Sequence, residues 1–411
     1  MIIQKNARTQ VDSQASPQPQ PTPISKNVGL RGVTVADSAI CKIDGKEGVL
    51  LYRGYDIETL ARKATYEEVA HLLIKNKLPN REELAAFKER IGEYSFLPEG
   101  IVDALKAIPN STKAMDVLQG VVSLLAAYDQ EAAETTKEAN YNKATRLVAM
   151  FPLLVAAWYR IRQGKHVVNP NPELGIAGNF LYTMHGEIPD DFAARTMDVA
   201  MILHAEHSFN ASTFTARQVA STRATMYAAI ASANGSLSGE LHGGANARVY
   251  EMLQNIGHKD NVEDFVLGTL NSGGRIMGMG HAVYKTLDPR AKILGPMSQN
   301  LGEQSGDATW YELSEEILSF TKEEFKRRKG VDINANVDFF SASVYHYMGI
   351  PVDLFTPIFA MARVSGWVAH YIEEFFAEVS GKPALYRPRA DYIGRYCGEE
   401  GCVWKDVENR D

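Results

Sequence analysis

Two histidines stand three residues apart in the stretch HAEHSFNASTFTAR, which begins at His204 and carries His207. A three-residue step places both on one face of a helix. That geometry suits half of a metal site, a grip on an acidic substrate, or an ordinary helix end. A metal would need a third ligand and groups behind it to orient the rings. The order H-A-E-H around Glu206 is not the H-E-x-x-H of a metalloprotease, and no metal site is expected. Nor does the sequence hold a G-x-S-x-G elbow, a glycine-flanked cysteine or a Walker loop, and GMGHAV has only two of the glycines that a dinucleotide loop needs. What remains is a polar set in glycine-rich or helix-end settings: His207, His242, His281, Asp338, Arg290, Arg363 and Arg387. Neutral histidines can donate to a carbonyl while an aspartate removes a proton beside another. Arginines bind carboxylates bidentately and favour compact dianions. Such parts permit carbon–carbon bond formation between a thioester and a keto acid, although spacing alone does not select that chemistry.

The elements that must position these residues read as mainly α. AICKIDGKEGVLLYRGYDI has a turn at Gly45 between short alternating runs, which predicts a hairpin. From DIETLARKATYEEVAHLLIKNKLP onward the pattern is helical, with Val69, Ala70 and Leu73 recurring and Pro79 as a stop. MDVLQGVVSLLAAYD puts Leu118, Val121, Val122 and Leu125 on one face, and IPDDFAARTMDVAMILHAEH offers Asp190 or Asp191 as its N-cap. The longest apolar run, LVAMFPLLVAAWY from Leu147, is too short to span a bilayer and reads as a buried core helix kinked at Pro152. Glycine density rises in ANGSLSGELHGGANARV and in NSGGRIMGMGHAVYKTLDPR, each holding a histidine. Glycine there allows close backbone approach to a ligand and suits a hinge.

At 411 residues the chain exceeds one ordinary core, so two domains are expected. A 45% apolar and 23% charged composition fits a soluble globular protein. The net charge of −7 argues against broad nucleic-acid binding, but a local arginine cluster can still attract anions. Three cysteines make no even disulfide framework, which points to a reducing, cytoplasmic setting with Cys397 and Cys402 as reduced thiols in a mobile tail. Residues 1–27, rich in Gln, Pro and Ser, bury too little apolar surface to offset ordering entropy and are expected to be disordered.

Taken in order, GLRGVTVADSAI, LLYRGYDIETLA, HAEHSFNASTFTAR, LHGGAN, GHAVYKTLDPRA, NVDFFSASVYHYMGIP, FTPIFAMARVSGWVAH and RPRADY resemble the citrate synthase family over nearly everything beyond residue 28. The resemblance implies a two-domain helical fold: a large domain from 28–239 and 343–411 with an inserted small domain at 240–342, closing over the substrates of a homodimer. It implies condensation of acetyl-CoA with oxaloacetate and hydrolysis of the citryl-CoA thioester, with no permanently bound cofactor. Carried over by position, His242 would stabilise the acetyl enol, Asp338 would take the methyl proton, and His281 would polarise the keto group. His207, Arg290 and Arg363 would hold the oxaloacetate carboxylates, and Arg387 would reach the partner's site. Lys285 would meet the CoA phosphates, and the backbone of Gly278, Met279 and Gly280 would face the adenine. His204 is read as a helix-end residue, and His71, His166, His185, His258, His346 and His370 as surface or core histidines.

The sequence departs from the family pattern at Glu240, where proline is usual, and a carboxylate there is expected to raise the proton affinity of His242. Two other readings stand beside the first. A 2-methylcitrate synthase would run the same chemistry on propionyl-CoA, because one methylene changes selectivity by only about 1–3 kcal/mol; Arg389 in RPRADY leans towards acetyl-CoA. A non-catalytic helical dimer that binds metabolites is the reading from another class.

Overall fold

A computed structural model describes residues 28–30, 32–394 and 402–410. The expected disorder of 1–27 and the thiol of Cys397 lie outside the described residues. The chain divides into two units, Met1–Asp37 and Ser38–Asp411. In the first, the described residues form a short 3-10 turn at Val28–Leu30. In the second, they form sixteen α-helices and a single three-stranded antiparallel sheet, a mainly α architecture.

The hairpin forms as its alternation requires. Cys41–Asp44 pairs with Val49–Tyr52, and every second residue of the latter strand, Leu50 and Tyr52, is buried. Asp44 turns the chain by accepting from the backbone N–H groups of Lys46 and Glu47 at 3.0 and 3.1 Å. The helical stretch that follows breaks into Ile57–Lys63, capped by Asp56, and Tyr66–Lys75, closed by a Thr65–Glu68 capping box. Thr65 offers the backbone a cap in place of a continued helix, the preference of such residues for helix ends. Tyr66–Lys75 stops at Asn76 in the left-handed region, ahead of Pro79.

Two long helices form the centre. Lys137–Ile161 contains the apolar run from Leu147 and holds Pro152 inside it. With its polar first turns it reaches 25 residues, long and apolar enough to cross a membrane by length and composition, which corrects the expectation from the run alone. Within the protein 78% of its apolar window is buried, as in a core helix. Phe355–Phe375 is buried almost throughout, Trp367 and His370 completely, and packs on Lys137–Ile161, Ala211–Ser221, Asp191–His204 and Tyr66–Lys75. A helix apolar on all sides belongs in the middle of a bundle. Two of its charged residues, Arg363 and Glu373, are therefore enclosed and must find partners.

Near the C-terminus, Cys402 is disulfide-bonded, which corrects the reduced thiol expected there.

Candidate active site

The helix Asp191–His204, capped by Asp190 as its sequence suggests, delivers the two histidines of the opening motif. They part company at its end. His204 is fully buried, and its Nδ1 donates to the carbonyl of Ala200 at 2.7 Å. Burial holds its pKa down at about 3, so it is a neutral packing residue, as read. The chain then turns through Ser208 at φ 53°, and His207 is set among other rings. The His207 ring lies 5.4 Å from that of His281 and 5.7 Å from that of Tyr284, whose hydroxyl is 3.3 Å from its Nε2. Burial, then Arg290, Arg363 and His281, push the pKa of His207 well below normal. A neutral imidazole thus stands beside two guanidinium groups.

His242 sits between the helices Met226–Leu237 and Ala245–Ile256. The turn needs glycine, because a Cβ at Gly243 would lie 2.0 Å from the Leu237 carbonyl oxygen. The backbone N–H of Ser212 donates to His242 Nε2 at 3.1 Å, with the Ser212 hydroxyl 2.8 Å away. A ring nitrogen that accepts from an amide carries a lone pair, so the proton of neutral His242 is on Nδ1. His281 is fixed in the opposite sense. Its Nδ1 accepts from the backbone N–H groups of Val283 and Tyr284 at 3.0 and 3.2 Å, which leaves the proton on Nε2. Burial, with Arg363 for His242 and Arg290 for His281, lowers both to about 4. Each ring is therefore a neutral donor at neutral pH, its proton on the nitrogen that no backbone amide engages. Glu240 is exposed and does not contribute to the shift at His242, whose proton affinity falls; the expectation of a rise is corrected. Burial and the Arg363 charge govern that ring.

Asp338 lies in the first turn of the helix Val337–Tyr347, where its N–H donates to the capping Asn336 at 3.0 Å. Burial pushes its carboxyl up to about 6 against the pull of Arg290, and Asp288 adds to the rise. A carboxylate in that range is matched to taking a proton near neutrality. Arg290 opens the helix Pro289–Ser305 and is clamped by Asp288, Nε to Oδ1 at 3.0 Å and Nη2 to Oδ2 at 2.8 Å. Asp288 also accepts from the N–H of Val337 at 3.2 Å, which ties the arginine to the helix of Asp338. Arg363, 1% exposed, donates from Nε to the carbonyl of His204 at 2.6 Å.

The glycine-rich segment completes one wall. Gly280 N–H donates to Asn334 at 2.7 Å and Asn336 N–H to Gly278 at 2.9 Å, flanking a bridge between Met279 and Ala335. The hairpin braces this wall from outside: Lys285 N–H donates to Gly45 at 2.7 Å, and a Cβ at Gly45 would lie 2.2 Å from the Val283 carbonyl oxygen. That close approach, and not the turn alone, requires glycine there. The side chain of Lys285 is exposed, near enough for its charge to act on His281.

His207, His242, His281, Asp338, Arg290 and Arg363 thus share one electrostatic neighbourhood: both arginines act on His207 and Asp338, Arg363 on His242, and Arg290 on His281. Arg387 does not join it within the single chain; it stands exposed on the C-terminal segment. Sequence reasoning missed Ser212, Tyr284 and Asp288. All three lie inside motifs already singled out, where proximity to a histidine, or for Asp288 to Arg290, was the available signal.

Residues 29–389 match the family model described as citrate synthase, C-terminal domain. The chain belongs to the citrate synthase family. A citrate synthase from Haloferax volcanii is 45% identical over 387 residues, 93% of this chain and 98% of that protein. Citrate synthase 2 of Bacillus subtilis is 44% identical over 89% of this chain and 95% of its own length. A 2-methylcitrate synthase of Shewanella oneidensis is 39% identical over 89% of this chain and 94% of its own. Among solved structures, the citrate synthase of Pyrobaculum aerophilum superposes with a TM-score of 0.86 at 38% identity, covering 93% of this chain and 95% of that one. The Thermoplasma acidophilum citrate synthase, in a ternary complex with carboxymethyl coenzyme A and oxaloacetate, gives a TM-score of 0.84 at 30% identity over 93% of this chain and 99% of that one. The citrate synthase fold therefore spans the full set of elements that carry the site.

Proposed function

We propose that this chain is a citrate synthase: it condenses acetyl-CoA with oxaloacetate and hydrolyses the resulting citryl-CoA to citrate and CoA, an acyl group becoming an alkyl group on transfer. One observation carries the reading, the pair of neutral histidines whose free N–H groups are set on opposite ring nitrogens by backbone amides. Asp338 removes a proton from the acetyl methyl while His242 Nδ1–H donates to the thioester oxygen, forming the enol. The enol carbon attacks the keto carbon of oxaloacetate, and His281 Nε2–H supplies the proton that the new alkoxide needs. Water then attacks the thioester carbonyl and CoA leaves as the thiol. Donors fixed in a shielded cleft stabilise such developing charge because they need no reorganisation at the moment of reaction.

In this proposal His207, Arg290 and Arg363 hold the oxaloacetate carboxylates. Arg387 completes the partner's site in a homodimer, which accounts for its exposed position. Lys285 and the backbone at Gly278, Met279 and Gly280 receive the CoA nucleotide. The domains at 28–239 with 343–411 and at 240–342 close over the substrates. The role is the condensation that opens the tricarboxylic acid cycle, in the cytoplasm and without a resident cofactor. The alternative, a 2-methylcitrate synthase condensing propionyl-CoA, has the less support: one such synthase, from Shewanella oneidensis, is 39% identical, below the citrate synthases at 44–45%.

Thiol release from acetyl-CoA and oxaloacetate, measured beside propionyl-CoA, tests the reading. Faster turnover of acetyl-CoA is expected. Faster turnover of propionyl-CoA would make 2-methylcitrate the product, and no release from either would leave a binding protein only.

A further inference from the structure

The residue between the two histidines of the opening motif has no role in the chemistry above, yet it is among the most enclosed charges in the protein. Glu206 is 0% exposed, as is His370 from the helix Phe355–Phe375. Arg217 donates to His370 Nδ1 at 3.1 Å, and an arginine has no lone pair to accept with. The His370 proton is therefore on Nε2, which donates to Glu206 Oε1 at 3.0 Å. The second carboxylate oxygen, Oε2, is buried without a hydrogen-bond partner among the described residues.

Three positions of the helix Phe355–Phe375 meet this turn. Arg363 holds the carbonyl of His204, Gly366 faces Ala205 and Glu206, and His370 holds the Glu206 carboxylate. Residues spaced by three and four lie on one helix face. A Cβ at Gly366 would lie 2.3 Å from both the Ala205 carbonyl oxygen and Glu206 Oε2, so the turn rests directly on the helix backbone. From the other side the Tyr52 hydroxyl donates to the Glu206 carbonyl at 2.9 Å. Glu206 is also the leading counter-charge acting on Arg363, whose guanidinium has, among the described residues, no carboxylate clamp of the kind Asp288 provides for Arg290. A buried carboxylate left half satisfied costs the fold stability, and its attraction to Arg363 offsets part of that cost.

We propose that Glu206, held by His370, is a positioning residue that locks the His207 turn and the Arg363 guanidinium into the geometry that receives a dicarboxylate. The proposal rests on the reading of His207 and Arg363 as oxaloacetate ligands. It assigns Glu206 no contact with substrate. Its charge balances Arg363 before the dianion arrives, and its hydrogen bond fixes the register of the turn against the helix.

The test uses the full chain carrying Glu206→Gln, with kinetics by thiol release and a thermal melt to establish folding. The KM for oxaloacetate is expected to rise about tenfold, as small displacements of binding groups do, with the KM for acetyl-CoA within about twofold. Glu206→Asp, which keeps the charge, should recover most of the loss. An unchanged oxaloacetate KM in folded Glu206→Gln, or an equal rise for both substrates, overturns the proposal. If that variant does not fold, His370→Gln decides by the same selective rise or its absence. Arg363→Lys separates the two levels: if it leaves oxaloacetate KM unchanged, the substrate reading itself fails.

Discussion

The floor and the glycine-rich wall of the site hold their histidines by different means. On the floor, the turn carrying His207 is bound by buried side chains: Arg363, His370 and Tyr52 each engage it, and all are at most 1% exposed. On the wall, His281 is held by the amides of Val283 and Tyr284, in a segment where Val283, Lys285 and Leu287 are exposed. Side chains locked in a core resist displacement, whereas a loop pinned by its own backbone can move as a body. On the function proposed above, the contrast fits a preformed dicarboxylate subsite facing a wall that adjusts to the larger acyl-CoA, so that binding one substrate can assemble the pocket for the other.

The largest effect is expected where the two regions meet, at Asp338. Replacing it with asparagine removes the proposed base and should lower kcat by roughly 10²–10⁴-fold, with the KM for oxaloacetate little changed. The same variant should be more stable at neutral pH. Asp338 has its pKa raised by burial from 3.8 to about 6. A raised value means that its protonated form is favoured in the fold, a contribution present below the unfolded pKa and lost as pH rises through about 6. Asp338→Asn should therefore melt higher than the parent at pH 7, with the gap closing below pH 4 or so; equal melting temperatures at pH 7 would contradict the burial argument.

Gly366 and Gly280 separate floor from wall at the next scale. Alanine at 366 meets two oxygens of the turn at 2.3 Å and should cost about 1–3 kcal/mol by overpacking, with a selective rise in the KM for oxaloacetate. Alanine at 280, at φ +83° with its nearest neighbour 3.6 Å away, meets strain but no clash. It should cost about 1–2 kcal/mol and act on the KM for acetyl-CoA. Urea denaturation with both KM values for each variant checks the pair, and a reversed pattern would break the comparison.

Much of this arrangement was legible in the chain. The Asp44–Gly48 turn, the Asp190 cap and the buried run from Leu147 follow from local propensity and periodicity, which need no knowledge of distant residues. The six side chains of the cleft came from motifs whose order resembles a family. What the sequence concealed is long-range. Glu206 and His370 are separated by 164 positions, and nothing local marks His370 as more than a core histidine. The tautomers of His242 and His281 depend on backbone amides, which no residue type announces. The reading of Glu240 failed because it weighed nearness in sequence, whereas burial and Arg363 govern His242.

The pH dependence follows from the same charges. His242 and His281 titrate near 4 and Asp338 near 6, so the acid limb of kcat/KM should be a single ionisation close to pH 6. Activity should fall about tenfold per pH unit below it. A limb that needs two protons, or a midpoint below pH 5 or so, would place the controlling group elsewhere in the cleft.

The smallest effect belongs to the floor's contact with His242. The Ser212 hydroxyl receives the Trp367 indole N–H at 3.1 Å and donates to Asn210 Oδ1 at 2.8 Å, so its proton is already committed. The tautomer of His242 is set by the Ser212 amide, which any residue at that position retains. Ser212→Ala should therefore leave the His242 proton on Nδ1 and lower kcat by less than about tenfold, chiefly by loosening the ring. Ser212→Pro removes the amide and should cost far more, because the ring nitrogen then loses the donor that fixes its proton. Equal losses in the two variants would mean that the hydroxyl, not the backbone, orients the ring, and the parallel between His242 and His281 would fall.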